Sequence, residues 1–164
     1  MQQMVEVNVV GLIVDPVSKS PVMILKPVDE RKVIPIWIGM NEANAIAMEL
    51  ENVCSPRPMT HDLIHSLMDE LQVTVEKVII SDIVENTFYA QLYLHCLGGE
   101  KILDCRPSDG VAVALKNHAK IFVSPQILET SLIADLFSNL VDGEERINQW
   151  FQSLQPDDFG GVEQ

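Results

Sequence analysis

The sequence TFYAQLYLHC at residues 87–96 alternates apolar and polar side chains along its length, which predicts a strand with one buried face. Two glycines follow it and predict a turn into a shorter strand at residues 101–105. A helix then begins at Pro107 or Ser108 and runs to about residue 117. This succession predicts a sheet with a helix packed against it.

The N-terminal part of the chain shows the same order of elements. Three strand patterns and a helix follow one another, at residues 5–14, 21–26, 32–38 and from Asn41 onward. Pro35 places the third strand at a sheet edge or a bulge. A strand pattern at 73–82 precedes residues 87–96, so a β-β-β-α unit occurs twice. The predicted fold class is therefore α+β, a compact single domain with a mixed sheet and an internal duplication.

One further helix, from about Thr60 to Leu71, separates the two units. We expect Thr60 to be its N-cap. The apolar positions predict a buried face made of Leu63, Ile64, Leu67, Met68 and Leu71. The opposite, polar side would carry His61, His65 and Asp69. Trp37 is expected in the core.

The last part of the chain differs in charge from the rest. Residues 135–164 hold seven acidic groups and one basic group, a net charge of 1 − 7 = −6. A helix pattern spans about residues 142–154. We therefore divide the chain into a domain at residues 1–134 and an acidic helical C-terminal extension at residues 135–164.

The composition limits the classes of function. The chain has 164 residues, is 47% hydrophobic and carries a net charge of −13, which argues against a general basic surface for nucleic acid. No signal-peptide pattern and no apolar run of about 18 residues are present, so no membrane partner is expected. The three cysteines, Cys54, Cys96 and Cys105, lack metal-site spacing. These features predict a cytoplasmic protein with free thiols.

Two polar segments resemble each other, Pro56-Arg57-Pro58-Met59-Thr60-His61-Asp62 and Asp104-Cys105-Arg106-Pro107-Ser108-Asp109. Each places an Arg-Pro step just before a hydroxyl residue and an Asp, and each leads into a helix. Helix N-termini attract anions, and the planar guanidinium of Arg matches phosphate or carboxylate. The second segment also has a structural reading, in which Ser108 caps the helix, Asp109 favours its dipole and Arg106 pairs with Asp104.

The residues around these segments add proton-transfer and metal-binding chemistry. His61 can act as a general acid or base near neutral pH. His61 and Asp62 could also help bind a divalent metal together with Glu42 or Asp104, although Glu42 also suits the first turn of a helix. The spacing of His61 and His65 can hold a metal, but no third ligand is evident. The sequence contains no Gly-rich phosphate loop, no Gly-x-Ser-x-Gly elbow and no zinc motif.

The chain resembles the bifunctional nuclease domain family over about residues 4–130. The resemblance rests on four segments: Ile36-Trp37-Ile38-Gly39 with Glu42, Pro56 to Leu63, Asn86-Thr87-Phe88-Tyr89-Ala90, and Asp104 to Asp109. It implies an α+β domain that forms a homo-oligomer and cleaves RNA and DNA.

We therefore predict a nuclease that hydrolyses phosphodiester bonds with Mg²⁺ or Mn²⁺ as cofactor. The predicted catalytic residues are Arg57, His61, Asp62, Arg106 and Asp109. The predicted substrate contacts are Arg57, Thr60, Arg106 and Ser108, and the predicted metal ligands are Glu42, Asp62, Asp104 and Asp109. The alternative is a non-catalytic regulatory module that binds an anion or a nucleotide in the same place.

Overall fold

A computed structural model of the protein describes residues 3–15, 18–29 and 32–129. Seven strands and four helices occur within these ranges. In chain order they are β1 (Val5–Val14), β2 (Pro21–Pro27), β3 (Ile34–Trp37), α1 (Met40–Leu50), α2 (Thr60–Glu70), β4 (Thr74–Val84), β5 (Thr87–Cys96), β6 (Gly99–Cys105), α3 (Pro107–Lys116), β7 (Lys120–Val123) and α4 (Pro125–Glu129). The predicted α+β class is confirmed, and β5 has the predicted bounds.

All seven strands form one mixed sheet in the order β3-β2-β1-β7-β4-β5-β6. Neighbouring strands are antiparallel except for β4 and β7, which are parallel. The two β-β-β-α units therefore supply the two sides of the sheet, and β7 joins them at the centre. Pro35 lies in β3, the edge strand, where a missing N–H removes no ladder bond on the open side.

The core lies between the sheet and two helices. Helix α1 packs on β1 and β2, whereas α3 packs on β4, β5 and β7. Ile46 of α1, Val111 of α3, and Met23, Leu25 and Ile80 of the sheet are fully buried. Burying each such side chain stabilises the fold by roughly 1.5–3 kcal/mol. The two helices also contact each other, which brings their N-termini together.

Gly110 allows α3 to approach the sheet closely. A Cβ atom added at Gly110 would lie 2.7 Å from Cγ2 of Val78 and 2.9 Å from Sγ of Cys105. Both distances are shorter than real Cβ contacts, so a larger residue would push the first turn of α3 away from β4.

The predicted buried face of α2 is wrong in part. Leu63, Leu67 and Leu71 are 55%, 53% and 67% exposed, although Ile64 and Met68 do pack against the core. His61 is the buried residue of this helix. Helix α2 contacts α3, and its residues that are buried or packed against the core are His61, Ile64 and Met68, at positions i, i+3 and i+7.

Two further expectations are corrected by the structure. Thr60 is not the N-cap of α2, because Met59 occupies that position and Oδ2 of Asp62 accepts a hydrogen bond from its backbone N–H at 2.8 Å. Trp37 is not in the core, since it ends the edge strand β3 and is 49% exposed. Its indole Nε1 donates a hydrogen bond to Oδ2 of Asp15 at 3.0 Å.

The predicted helix at 142–154 and the predicted acidic extension at 135–164 lie outside the described residues. Among the helices that the structure describes, none is long and apolar enough to cross a membrane.

Candidate functional site

Helices α1, α2 and α3 begin in the same way. The residue before each is extended, and the third helical residue is acidic. The preceding residues are Gly39, Met59 and Arg106, and the acidic residues are Glu42, Asp62 and Asp109. A carboxylate in the first turn stabilises a helix through its dipole and can accept a bond from the N-cap N–H. This position alone accounts for the presence of three predicted site residues.

Arg106 joins two of these helix starts. Its Nη2 donates to Oε1 of Glu42 at 2.6 Å, and its Nε donates to Oδ2 of Asp109 at 2.7 Å. It therefore pairs with these carboxylates rather than with Asp104. The hydrogen bond to Asp109, followed by the one to Glu42, raises the pKa of Arg106 above its ordinary value. The guanidinium is a permanent positive charge between α1 and α3.

His61 extends this group to α2. Its Nε2 lies 3.2 Å from Oδ1 of Asp109, and the residue is only 9% exposed. When Nε2 carries the proton and donates it to the carboxylate, Nδ1 is the acceptor nitrogen of the ring. Asp109 thus holds an imidazole with one oxygen and a guanidinium with the other. We call Glu42, Arg106, Asp109 and His61 the Arg106 cluster.

Gly39 is required for the geometry of the Arg106 cluster. A Cβ atom at this position would overlap Oε2 of Glu42. The glycine therefore leaves the space into which the Glu42 carboxylate folds back over the start of α1. Its spacing of three residues from an acidic residue was the available signal.

A second cation, Lys116, lies between two other carboxylates and was not predicted. Its Nζ contacts Glu49 of α1 and lies 2.5 Å from Oδ1 of Asp62. Burial lowers the pKa of Lys116, but the hydrogen bonds to Asp62 and Glu49 outweigh it and raise the pKa overall. Burial likewise opposes ionisation of Asp62, yet the bonds from Lys116 and from Met59 N–H lower its pKa. Asp62 therefore belongs to the Lys116 group and not to the Arg106 cluster.

The remaining predicted residues occupy separate places. Within the described part of the chain, the side chains of Arg57, Thr60 and Asp104 make no hydrogen bond or ion pair. All three are exposed, whereas Ser108 is only 4% exposed. His65 bonds to Asn117 at 2.9 Å and lies 3.4 Å from Asp69.

Two hollows flank the Arg106 cluster. The first has a volume of about 360 Å³ and lies among α1, the segment before α2, α2 and the end of α3; His61, Asp62, His65 and Lys116 line it. The second has a volume of about 310 Å³ and is lined by Trp37, Gly39, Asn86, Phe88, Arg106 and Ser108. Three of the four segments that carry the family resemblance meet in this second hollow, and the fourth lines the first.

The described residues do not fit a metal ion in this arrangement. Across residues 3–15, 18–29 and 32–129, no group of three or more His, Cys, Asp and Glu side chains is arranged to hold one. The physical reason is that Arg106 already occupies the space between Glu42 and Asp109, while Lys116 is bound to Asp62. The requirement for Mg²⁺ or Mn²⁺ stays a prediction.

Comparison with known proteins adds the family. The bifunctional nuclease domain profile matches residues 23–135. An uncharacterized protein of Mycobacterium tuberculosis, present in strains H37Rv and CDC 1551, is 38% identical over 162 residues, which cover 94% of this chain and 97% of the relative. Bifunctional nuclease 1 of Oryza sativa subsp. indica is 27% identical over 97 residues, which cover 57% of this chain and 29% of the rice protein.

The family profile spans most of the chain and includes the Arg106 cluster, both hollows and α2. The chain therefore belongs to the bifunctional nuclease domain family.

Proposed function

We propose that this protein is a nuclease that cleaves phosphodiester bonds in RNA or DNA at the Arg106 cluster. The observation that carries the proposal is the bridging position of Asp109, whose two oxygens bind His61 at 3.2 Å and Arg106 at 2.7 Å. A proton acceptor and an anion-binding group are thus held by one carboxylate. Family membership and the name of the rice relative support the same class of reaction.

The proposed roles follow from the chemistry of each group. Arg106 binds the phosphate and stabilises the negative charge that develops on its oxygens. His61 accepts the proton of the attacking oxygen, which belongs to water or to a ribose 2′-hydroxyl. A new P–O bond then forms, the bond to the leaving oxygen breaks, and the leaving oxygen takes a proton from water. Asp109 fixes the orientation and tautomer of His61.

The other predicted residues retain roles in the proposal. Ser108 contacts the substrate in the second hollow, which it lines. Arg57 lies on the segment before α2 and Thr60 is the first residue of α2; both are exposed, so a long polymer can reach them. Binding of a divalent ion by Glu42, Asp62, Asp104 and Asp109 would require Arg106 and Lys116 to release three of these carboxylates, and the assay with EDTA tests whether an ion is needed at all.

The test is cleavage of end-labelled single-stranded RNA and DNA by purified protein with Mg²⁺, with Mn²⁺ or with EDTA. His61→Ala and Asp109→Asn should each lower the rate about 10²- to 10⁴-fold, the usual size of a general acid–base effect. His95→Ala is the matched control, because His95 is an exposed histidine on β5 outside the Arg106 cluster. Cleavage that continues unchanged in His61→Ala and Asp109→Asn would contradict the proposal.

A non-catalytic module that binds an anion or a nucleotide is the second candidate. One observation favours it, namely that each of the two cations is shared by two carboxylates, so both groups carry excess negative charge when His61 is neutral. This negative charge weakens the binding of a doubly charged transition state more than the binding of a small ligand. Binding of a labelled oligonucleotide without any cleavage product would support this candidate.

We also propose that the protein forms a homo-oligomer. The exposed face of α2 formed by Leu63, Leu67 and Leu71 supports this, because exposed apolar patches commonly mark interaction surfaces. Mass measurement by light scattering should give a multiple of 18.3 kDa, and Leu67→Glu should reduce it. A monomeric wild-type chain would refute the proposal.

A cytoplasmic location is the remaining proposal. The thiols of Cys54, Cys96 and Cys105 are free, as is usual in a reducing compartment. Cell fractionation with a cytoplasmic marker tests it, and recovery in another fraction would contradict it.

A further inference from the structure

We propose that Lys116 is a positioning residue for His61: it holds the first turn of α2 at the place where the imidazole meets Asp109. This inference rests on the proposed nuclease function and adds to it a residue that lies outside the Arg106 cluster.

The Arg106 cluster consists of two parts that are anchored differently. Arg106 is bonded to Glu42 at 2.6 Å and to Asp109 at 2.7 Å, so the anion-binding part is fixed between α1 and α3. His61 lies on α2 and reaches this part through its 3.2 Å contact with Asp109. The position of the proton acceptor therefore depends on how α2 is held.

Apolar packing leaves the position of α2 loosely determined. Ile64 and Met68 pack against the core, whereas Leu63 and Leu67 of the same helix are more than half exposed. The hydrophobic effect is non-directional, so two packed side chains allow the helix to slide or turn on α3. Directional polar contacts are needed to fix it in one place.

Lys116 supplies such a contact at the start of α2. Its Nζ lies 2.5 Å from Oδ1 of Asp62, the residue that follows His61. Oδ2 of the same carboxylate accepts a hydrogen bond from the N–H of Met59 at 2.8 Å. One side chain thus ties the backbone on both sides of His61, and Lys116 joins that side chain to the last turn of α3.

A second carboxylate extends the connection to α1. Glu49, in the last turn of α1, also contacts Nζ of Lys116, so one ammonium group joins three helices. Only 17% of the Lys116 side chain is exposed, and salt screens ion pairs of partly buried groups less than exposed ones. Without the cation, Glu49 and Asp62 would repel each other across the same space.

The stability of α3 alone does not explain this arrangement. The helix dipole favours a cation in the last turn, but a lysine that extends into solvent provides that effect as well. Placing the ammonium of Lys116 between two carboxylates removes it from water, which has a desolvation cost. The contact is accounted for if it maintains the relative position of the three helices.

The two anchors predict separate kinetic effects. Loss of Lys116 leaves the bonds of Arg106 to Glu42 and Asp109 in place, so KM should change little. Displacement of α2 should lower kcat, because a misplacement of about 1 Å can cost roughly 100-fold in rate. We therefore expect Lys116→Met to lower kcat by about 100-fold, with KM close to that of the wild type.

The first measurement is steady-state cleavage of labelled single-stranded RNA by the full-length variants, at a temperature below the Tm of each. Lys116→Arg should restore most of the loss, because its guanidinium can donate to both carboxylates. Lys120→Met is the matched control, since Lys120 pairs with Glu6 on the surface. If Lys116→Met does not fold, Asp62→Asn is the second variant. It keeps an acceptor for the N–H of Met59, removes the charge that faces Lys116, and should also lower kcat without raising KM.

The second measurement does not require cleavage. Nitrogen-15 spectra of the histidine rings, recorded at about pH 8, where an ordinary imidazole is neutral, report which ring nitrogen carries the proton. We expect His61 to be in the Nε2–H form, held by Asp109, in the wild type, in Lys116→Arg and in Lys120→Met. Lys116→Met should lose this fixed form. His61→Ala identifies the signal among the four histidines of the chain.

These measurements separate the inference from the proposed function. An unchanged kcat in folded Lys116→Met, or a lowered kcat with His61 still held in the Nε2–H form, would overturn the inference. If cleavage depends on His61 but not on Lys116, the nuclease proposal stands and the inference fails. If the wild-type chain cleaves nothing but Lys116→Met loses the Nε2–H form of His61, the positioning role stands and the nuclease proposal fails.

Discussion

Replacing Gly110 by Ala tests whether the close approach of α3 to β4 positions the Arg106 cluster. The new Cβ would lie 2.7 Å from Cγ2 of Val78, and ordinary van der Waals contact begins at 3.4 Å. Helix α3 and strand β4 must therefore separate by about 3.4 − 2.7 = 0.7 Å at this point. Val78 is fully buried and Cys105 is half-buried, so neither can move into solvent. Overpacking of this kind costs about 1–3 kcal/mol. Ala favours a helix over Gly by up to about 1 kcal/mol, which offsets part of that cost.

We therefore expect Gly110→Ala to lower the free energy of unfolding by about 1–2 kcal/mol. For a chain of this size that corresponds to a fall in Tm of roughly 2–8 °C, measured by thermal unfolding followed by circular dichroism. Gly98→Ala is the matched control, because no heavy atom lies within 4 Å of the added Cβ. Its free energy of unfolding should stay within about 0.5 kcal/mol of the wild type, as at most surface sites.

The same displacement has a consequence for the site. If α3 alone moves by 0.7 Å and α2 stays in place, the distance from His61 Nε2 to Asp109 Oδ1 changes from 3.2 Å by up to 0.7 Å and reaches at most 3.2 + 0.7 = 3.9 Å. The hydrogen bond between them is then distorted or lost, so cleavage should fall at temperatures where the variant is still folded. A Tm for Gly110→Ala equal to or above that of Gly98→Ala would refute the reasoning.

Four further predictions concern other residues of the structure. Gly39→Ala should leave Tm nearly unchanged, because the flexible end of the Glu42 side chain can move aside. The same displacement of Glu42 should weaken cleavage about as much as Glu42→Gln does. A larger loss of Tm than in Gly110→Ala would contradict this. Lys116→Met should lower the free energy of unfolding at pH 7 by about 1–3 kcal/mol, the size of hydrogen bonds to charged groups, whereas Lys120→Met on the surface should not. The pKa of Asp62 is lowered in the folded state, so its ionised carboxylate stabilises the fold at any pH above the ordinary pKa of 3.8, and this stabilisation is lost as the pH falls through the folded-state pKa. The free energies of unfolding of Asp62→Asn and the wild type, measured by denaturant titration, should therefore converge in acid. A difference that stays constant with pH would be inconsistent with this. Burial raises the pKa of the Cys105 thiol to about 11, so alkylation at pH 8 followed by peptide mass mapping should modify the exposed Cys54 well before Cys105, and equal rates would argue against the described burial.

The strands could be predicted from the sequence because their signal is local. The alternation at residues 87–96 gives β5 its bounds, and Pro35 indicates the edge position of β3. Contacts between residues far apart in the sequence are not predicted by any such local pattern. His61 and Asp109 are 48 positions apart, and Glu42 and Arg106 are 64 apart. Only the repeated β-β-β-α order suggested that the starts of α1 and α3 occupy related places.

Two errors in the sequence interpretation concern which side chains face the rest of the protein. Periodicity predicts which side chains of α2 share a face, but not which face meets the rest of the protein. The broad apolar set from Leu63 to Leu71 permits two ways of packing, and α2 uses the one that buries His61. Trp37 was assigned to the core from its residue type alone, yet an edge strand ends there and leaves the ring at the surface. The first error placed His61 on the polar side of α2, whereas the structure buries it.

The helix N-termini show which of the predicted site residues the fold would favour even if the protein had no function at this site. Glu42, Asp62 and Asp109 each occupy the third position of a helix, where a carboxylate is stabilising in itself. Helix stability does not require a histidine to be buried against Asp109, or an arginine to be shared between two helices. Burying His61 beside a carboxylate has a desolvation cost that an apolar residue at this contact would avoid. The evidence for a functional site is therefore carried by His61 and Arg106, and the acidic residues gain a role through their contacts with those two.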